Sequence, residues 1–164
     1  MSLILPEKLD FDEINFSELT ESLFRIFEKD FILSETTFLG KKVVFDDRII
    51  DGKYPEGFWH LITRTDHKEN EQRLLDLKRS KRLPWIKPII EQYKESEIKS
   101  WHNLEAANKG GTFNEVYYLW YEAGHYLVIL KERKNGYFLA TSFYVNDGFN
   151  REKYERKYKS GKPI

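Results

Sequence analysis

The last third of the chain constrains the fold most. Asn135-Gly136 stands between two alternating apolar runs, Tyr126–Arg133 and residues 137–145. Asn-Gly adopts the left-handed backbone of a two-residue hairpin turn easily, so the flanking runs read as paired antiparallel strands. A third strand-like run, residues 115–121, joins them through Ala123-Gly124, and Asn146-Asp147-Gly148 ends the sheet. The expectation is a three-stranded C-terminal meander. With Asn135 and Gly136 at the turn, Lys134 lies opposite Tyr137, Lys131 pairs with Ala140, and Ile129 pairs with Ser142. Alternation then puts Lys131, Arg133, Ser142 and Tyr144 on one face and Thr141 on the other. A one-residue slip exchanges the two sets, so either hydroxyl could face a site.

Upstream, the pattern turns helical. Residues 15–31 place Leu19, Leu23, Ile26 and Phe27 on one helical face, with Asn15 or Ser17 as cap; Asn15 has Glu18 three positions on, the spacing of a capping box. Residues 36–45 read as a strand, and 46–57 as a loop marked by Asp51-Gly52 and Pro55-Glu56-Gly57. Residues 58–63 read as a short strand or a first helical turn. Helices are expected over 70–78, over 85–95 with Pro84 at its start, and over 97–107 with Trp101 and Leu104 inward. Asn108-Lys109-Gly110-Gly111 is a break. These elements predict an α+β fold, with N-terminal helices packed on a small antiparallel sheet that ends in the meander. The chain of 164 residues reads as a single domain, 1–164. Within it lie an acidic helical part (1–35), a core (about 36–145) and a basic C-terminal tail (146–164).

Cysteine is absent, which excludes disulfides, zinc fingers and a thiol nucleophile. No run approaches the roughly 18 apolar residues of a membrane span, and the opening residues lack the pattern of a signal peptide. A cytoplasmic setting with no membrane partner is expected. Acidic and basic residues balance at 27 each. The balance is an average: acids lead nine to three over residues 1–35, while bases lead six to one over 72–88 and six to two over 151–164. A polyanion responds to the local patch, so RNA or another polyanion is an expected partner through one basic face.

The histidines, His60, His67, His102 and His125, show no metal-ligand spacing, and no phosphate-binding glycine loop is present. No metal or other cofactor is expected. His60 is different in kind. It sits inside Phe58-Trp59-His60-Leu61-Ile62, with Arg64 close behind. A lone histidine in such a run is ordinarily a core residue. Here the chain also supplies Lys131, Arg133, Thr141, Ser142 and Tyr144 on the meander. RNA cleavage without metal uses such a set: a group near neutral pKa to move the 2′-hydroxyl proton, cations for the charge growing on phosphorus, a hydroxyl to position the phosphate, and a ring to stack on a base.

The layout resembles the metal-independent endoribonuclease superfamily that groups barnase, EndoU, colicin-type tRNA-cleaving domains and RelE-like toxins, above all its phage- and mobile-element-associated branches. The residues that carry the resemblance are Phe58-Trp59-His60, Leu127-Val128-Ile129-Leu130-Lys131 and Phe138-Leu139-Ala140-Thr141-Ser142-Phe143-Tyr144. The resemblance implies His60 as acid/base, Arg64 and Lys131 as phosphate-binding cations, Thr141 or Ser142 as the positioning hydroxyl, and Tyr144 as the stacking ring. EndoU-like members carry a second histidine, for which His125 is the nearest candidate here. Arg79, Arg82, Trp85 and Arg133 would bind the substrate. The implied protein is a ribonuclease acting on RNA, tRNA included, as a toxin or phage-related effector with a protein inhibitor. Two other readings fit the residues: a non-catalytic module binding nucleic acid or protein, and a small-molecule enzyme or binding protein with an aromatic pocket.

Overall fold

The structure is a computed structural model that describes residues 2–11, 15–66, 72–106, 112–146 and 148–164. The glycine break at 108–111 and His67 lie outside the described residues. Helix α1 (Phe16–Phe31) starts where the sequence places it: the Asn15 side chain accepts from the Glu18 N–H at 3.1 Å. Leu23, Phe27 and Phe31 form its buried stripe. The strand expected over 36–45 is a tight hairpin, β1 (Thr37–Phe38) and β2 (Lys41–Val44). Its turn places Leu39 (φ 51°) and Gly40 (φ 79°) in the left-handed region, which costs a residue with a Cβ about 1 kcal/mol.

The aromatic run belongs to helix α2 (Glu56–Ile62). Then β3 (Thr63–Asp66) pairs with β4 (Gln72–Leu75) as a separate two-stranded ribbon. This corrects the helix expected over 70–78. Asp76 is a cap, accepting from the Arg79 N–H at 3.0 Å, so helix α3 (Leu77–Lys81) begins only after it. Pro84 lies in a 3-10 turn (Leu83–Trp85) that leads into α4 (Ile86–Glu91). The helix expected over 97–107 is instead a strand, β5 (Ile98–Ala106). It pairs along its whole length with β6 (Phe113–Tyr121), and Leu104, expected inward, is 61% exposed. Strands β7 (Tyr126–Arg133) and β8 (Gly136–Tyr144) complete the sheet, and helix α5 (Gly148–Ser160) follows. The basic C-terminal stretch is therefore largely helix rather than tail.

The fold is α+β. Its sheet is larger than expected and mixed: six strands in the order β1-β2-β8-β7-β6-β5, with β2 parallel to β8 and the other pairs antiparallel. The antiparallel meander is present and has four strands, β5 to β8. One face packs against α1, α2 and α4 through Leu119, Val128 and Leu130 on the sheet and Phe27, Phe58 and Ile89 on the helices. The other face buries Trp101, Val116, Tyr118, Trp120 and Leu127 against Tyr154 of α5. Among the described residues no helix is long and apolar enough to cross a membrane.

The β7–β8 register differs from the expected one. Arg133 pairs with Gly136, so Lys134 and Asn135 form the turn. Gly136 serves a different purpose: it has φ 148°, and a Cβ there would lie 2.2 Å from the Lys42 carbonyl of the adjoining β2. Further along, Leu130 pairs with Leu139 but Ile129 pairs with Thr141, leaving Ala140 as a bulge. The pairing thus puts Thr141 with Ile129, toward the α5 face, and Ser142 with Val128, toward the helical core.

Candidate functional site

Strand β2 covers only Tyr137 and Phe138 of β8. Beyond them the outer edge of β8 has no strand neighbour among the described residues, and α2 and α3 pack there instead. The bulge at Ala140 falls in this stretch, and Thr141 Oγ1 lies 3.5 Å from the His60 carbonyl. Where the helices meet the uncovered edge, an open cleft of about 410 Å³ forms. Its lining includes His60, Thr63, Arg64, Arg73, Arg79 and Thr141, and no carboxylate among the described residues.

Each side chain is placed by its element. His60 stands in the last turn of α2 with an exposed outer face. Atoms packed around the rest of its ring remove water from the imidazolium and push its pKa below the ordinary value. The nearby Glu56 and Asp46 carboxylates oppose that shift, while Arg73 and Arg79 add to it. Arg73 grips Glu56 in a two-pronged pair at 2.9 and 3.0 Å and lies over the Trp59 ring at 5.5 Å. This pair holds the Glu56 carboxyl below the usual carboxylate range. Arg79 Nη1 donates to the carbonyls of His60 (2.9 Å) and Thr63 (2.7 Å), where α2 runs out of helical partners. Its Nε is buried without a hydrogen-bond partner, 3.8 Å from an Asp76 oxygen. Arg64, on β3, is exposed, and its side chain makes no hydrogen bond or ion pair among the described residues.

The fold brings His60, Arg64, Arg79 and Thr141 together, and adds Arg73 and Thr63, which the sequence reading did not single out. Arg73 sat in the basic stretch without mark. Two short runs flanking residues 67–71, read as a ribbon, would have set it near Arg64. Lys131 lies in an adjoining opening of about 330 Å³ that shares Ala140 and Thr141 with the first. Tyr144 lines a third opening of about 460 Å³, which shares Arg64. Its ring has Lys78 Nζ 4.7 Å and Arg82 Cζ 4.5 Å from the centroid.

Other expected residues are placed elsewhere. Ser142 is 0% exposed and accepts from the Tyr126 hydroxyl at 2.7 Å. Arg82 is 8% exposed, donates to the Lys78 carbonyl at 2.8 Å and faces the Trp85 ring. Trp85 is a core residue whose indole donates to the Pro6 carbonyl at 2.8 Å. Arg133 ends β7, 3.3 Å from Asn114 Oδ1 and over the Phe138 ring, and lines none of the three openings. His125 has a left-handed backbone (φ 57°) at the β6–β7 turn and meets the Tyr144 ring rather than His60. Among the described residues no group of three or more His, Asp or Glu side chains could hold a metal ion.

No protein-family model, curated protein or solved structure matches the chain.

Proposed function

We propose that the chain is an RNase-like domain that cleaves RNA at the His60 cleft. The observation that carries this reading is one imidazole standing among three arginines in an open cleft without a lining carboxylate among the described residues. Such a lining attracts a phosphate, and a histidine with a lowered pKa is neutral at physiological pH and ready to accept a proton. His60 takes the 2′-hydroxyl proton. O2′ then bonds to phosphorus, the P–O5′ bond breaks, and the leaving O5′ takes a proton from water. The products are a 2′,3′-cyclic phosphate and a 5′-hydroxyl. Arg64, with no protein partner among the described residues, neutralises the charge that builds on the phosphoryl oxygens. Thr141 offers its hydroxyl to the same oxygens. Arg79 holds the backbone of His60 and Thr63, and Arg73 with Glu56 braces the far wall.

The test is incubation of the protein with end-labelled single-stranded RNA in EDTA, beside the same sequence as DNA. The expected result is RNA cleavage leaving cyclic phosphate ends, with the DNA intact. Binding of both strands without cleavage would replace this reading with the non-catalytic module, and equal cleavage of both would remove the 2′-hydroxyl from the mechanism.

A further inference from the structure

The three openings adjoin in series, with the His60 cleft in the middle. Arg64 lines both the His60 cleft and the opening at Lys78 and Tyr144, while Ala140 and Thr141 line both the cleft and the opening at Lys131. Strand β8 touches all three: Ala140 and Thr141, shared by two of the openings, sit at its bulge, and Tyr144, which lines the third, ends it. From Phe138, opposite Lys131, to Tyr144 the strand runs about 20 Å at its usual rise. A single phosphate would fill only the middle of such a path.

The chemistry changes along it. The end at Lys78 presents two cations: Arg64, whose side chain has no protein partner among the described residues, and Lys78, exposed beside the Tyr144 ring; the lining carboxylate there, Asp76, accepts from the Arg79 N–H at 3.0 Å and has an oxygen 3.8 Å from Arg79 Nε. The far end is mixed. The Lys131 side chain has no hydrogen bond or ion pair among the described residues, while Glu105 and Asn114 line the same opening with a carboxylate and an amide. Glu105 accepts from Tyr118 at 2.6 Å and from Lys157 at 3.2 Å, which orients it and leaves further lone pairs. A carboxylate repels phosphate but accepts from the amino group of a base.

We infer that the three openings act as one groove that binds an extended single strand of at least three nucleotides, with phosphates at Arg64–Lys78 and in the His60 cleft and an amino-bearing base beside Glu105 and Asn114. This rests on the proposed ribonuclease reading for its central phosphate and adds the flanking positions. Duplex RNA does not fit, because its bases are turned inward and cannot reach Glu105.

The test uses 2′-O-methyl oligonucleotides, which cannot be cleaved, so binding is read apart from catalysis. By fluorescence anisotropy a pentamer should bind much more tightly than a dinucleoside monophosphate. Lys78→Ala and Lys131→Ala should each weaken the pentamer about tenfold while sparing the dimer, the loss expected for one charged hydrogen bond. Uracil at the Glu105 position should bind more weakly than cytosine, and Glu105→Gln should narrow that gap. Unchanged length dependence in the Lys78→Ala/Lys131→Ala variant, or equal binding of duplex, overturns the groove. If the pentamer binds as described while unmodified RNA is left uncut, the groove stands and the catalytic role of His60 falls. If RNA is cut but dimer and pentamer bind alike, the reverse holds.

Discussion

Arg79 and His60 are joined through the backbone: one guanidinium nitrogen, Nη1 of Arg79, holds the His60 carbonyl at 2.9 Å and that of Thr63 at 2.7 Å. The cation satisfies acceptors that the end of α2 leaves open, and it fixes the turn that carries the imidazole. Arg79 and Arg64 line the same cleft, yet their situations differ. Arg79 is part of the frame, and Arg64 is free for a ligand.

That contrast is measurable. Arg79→Ala should lower stability in urea by about 3 kcal/mol, because two carbonyls lose their charged donor. Arg64→Ala should stay within about 0.5 kcal/mol of the parent yet weaken RNA binding and cleavage. Arg79→Lys should recover part of that stability, since both carbonyls accept from one nitrogen and an ammonium carries three donors.

The lowered pKa of His60 has two consequences of one sign. Its neutral form is favoured in the folded state, so the unfolded chain binds more protons as pH falls through about 6.5. Stability is therefore fully present above that pH and declines below it, and His60→Gln should remove this part of the pH dependence. The acid limb of kcat/KM should likewise lie below the ordinary imidazole value, and Glu56→Gln should move it lower still, since Glu56 holds the pKa up. An NMR titration of the His60 ring checks the site directly.

Thr141 and Ser142 are neighbours with opposite fates. Ser142→Ala leaves the buried Tyr126 hydroxyl without its partner and should cost about 1–2 kcal/mol without lowering kcat. Adding Tyr126→Phe should recover most of it. Thr141→Ala should cost little stability and reduce cleavage about tenfold.

The second core depends on one ring. Tyr154, whose hydroxyl burial pushes up to about 12, is the buried residue of α5 and packs with Trp101, Val116, Tyr118, Trp120 and Leu127. Tyr154→Ala should destabilise the fold by about 3 kcal/mol and red-shift the emission of Trp101 and Trp120 as water reaches them.

The hairpin's place in the chain and the α1 cap were legible: Asn135-Gly136 overlaps the Lys134-Asn135 turn, and Asn15 caps the helix through local chemistry. The register was not. Gly136 is needed for the approach of β2, a neighbour distant in sequence, and the bulge at Ala140 shifts the pairing of everything after it. So alternation counted from the turn put Ser142 on the cleft side, where the fold puts Thr141. The sequence of strand β5 reads as helix because Trp101 and Leu104 are three apart, a spacing that pairing with β6 overrides. At the site, His60 and Arg64 stood out for their apolar setting and proximity. Arg73 and the framing role of Arg79 depend on the β3–β4 ribbon and on the end of α2, which only tertiary contacts define.

The most direct measurement is single-turnover cleavage, in EDTA, of an oligonucleotide with one ribose in a deoxyribose strand. Parent and His60→Ala proteins with matching melting curves are to be compared. The account predicts a cut only at the ribose by the parent protein, and a rate at least about a hundredfold lower for His60→Ala. Equal rates for the two proteins, or no cut by either, would contradict it.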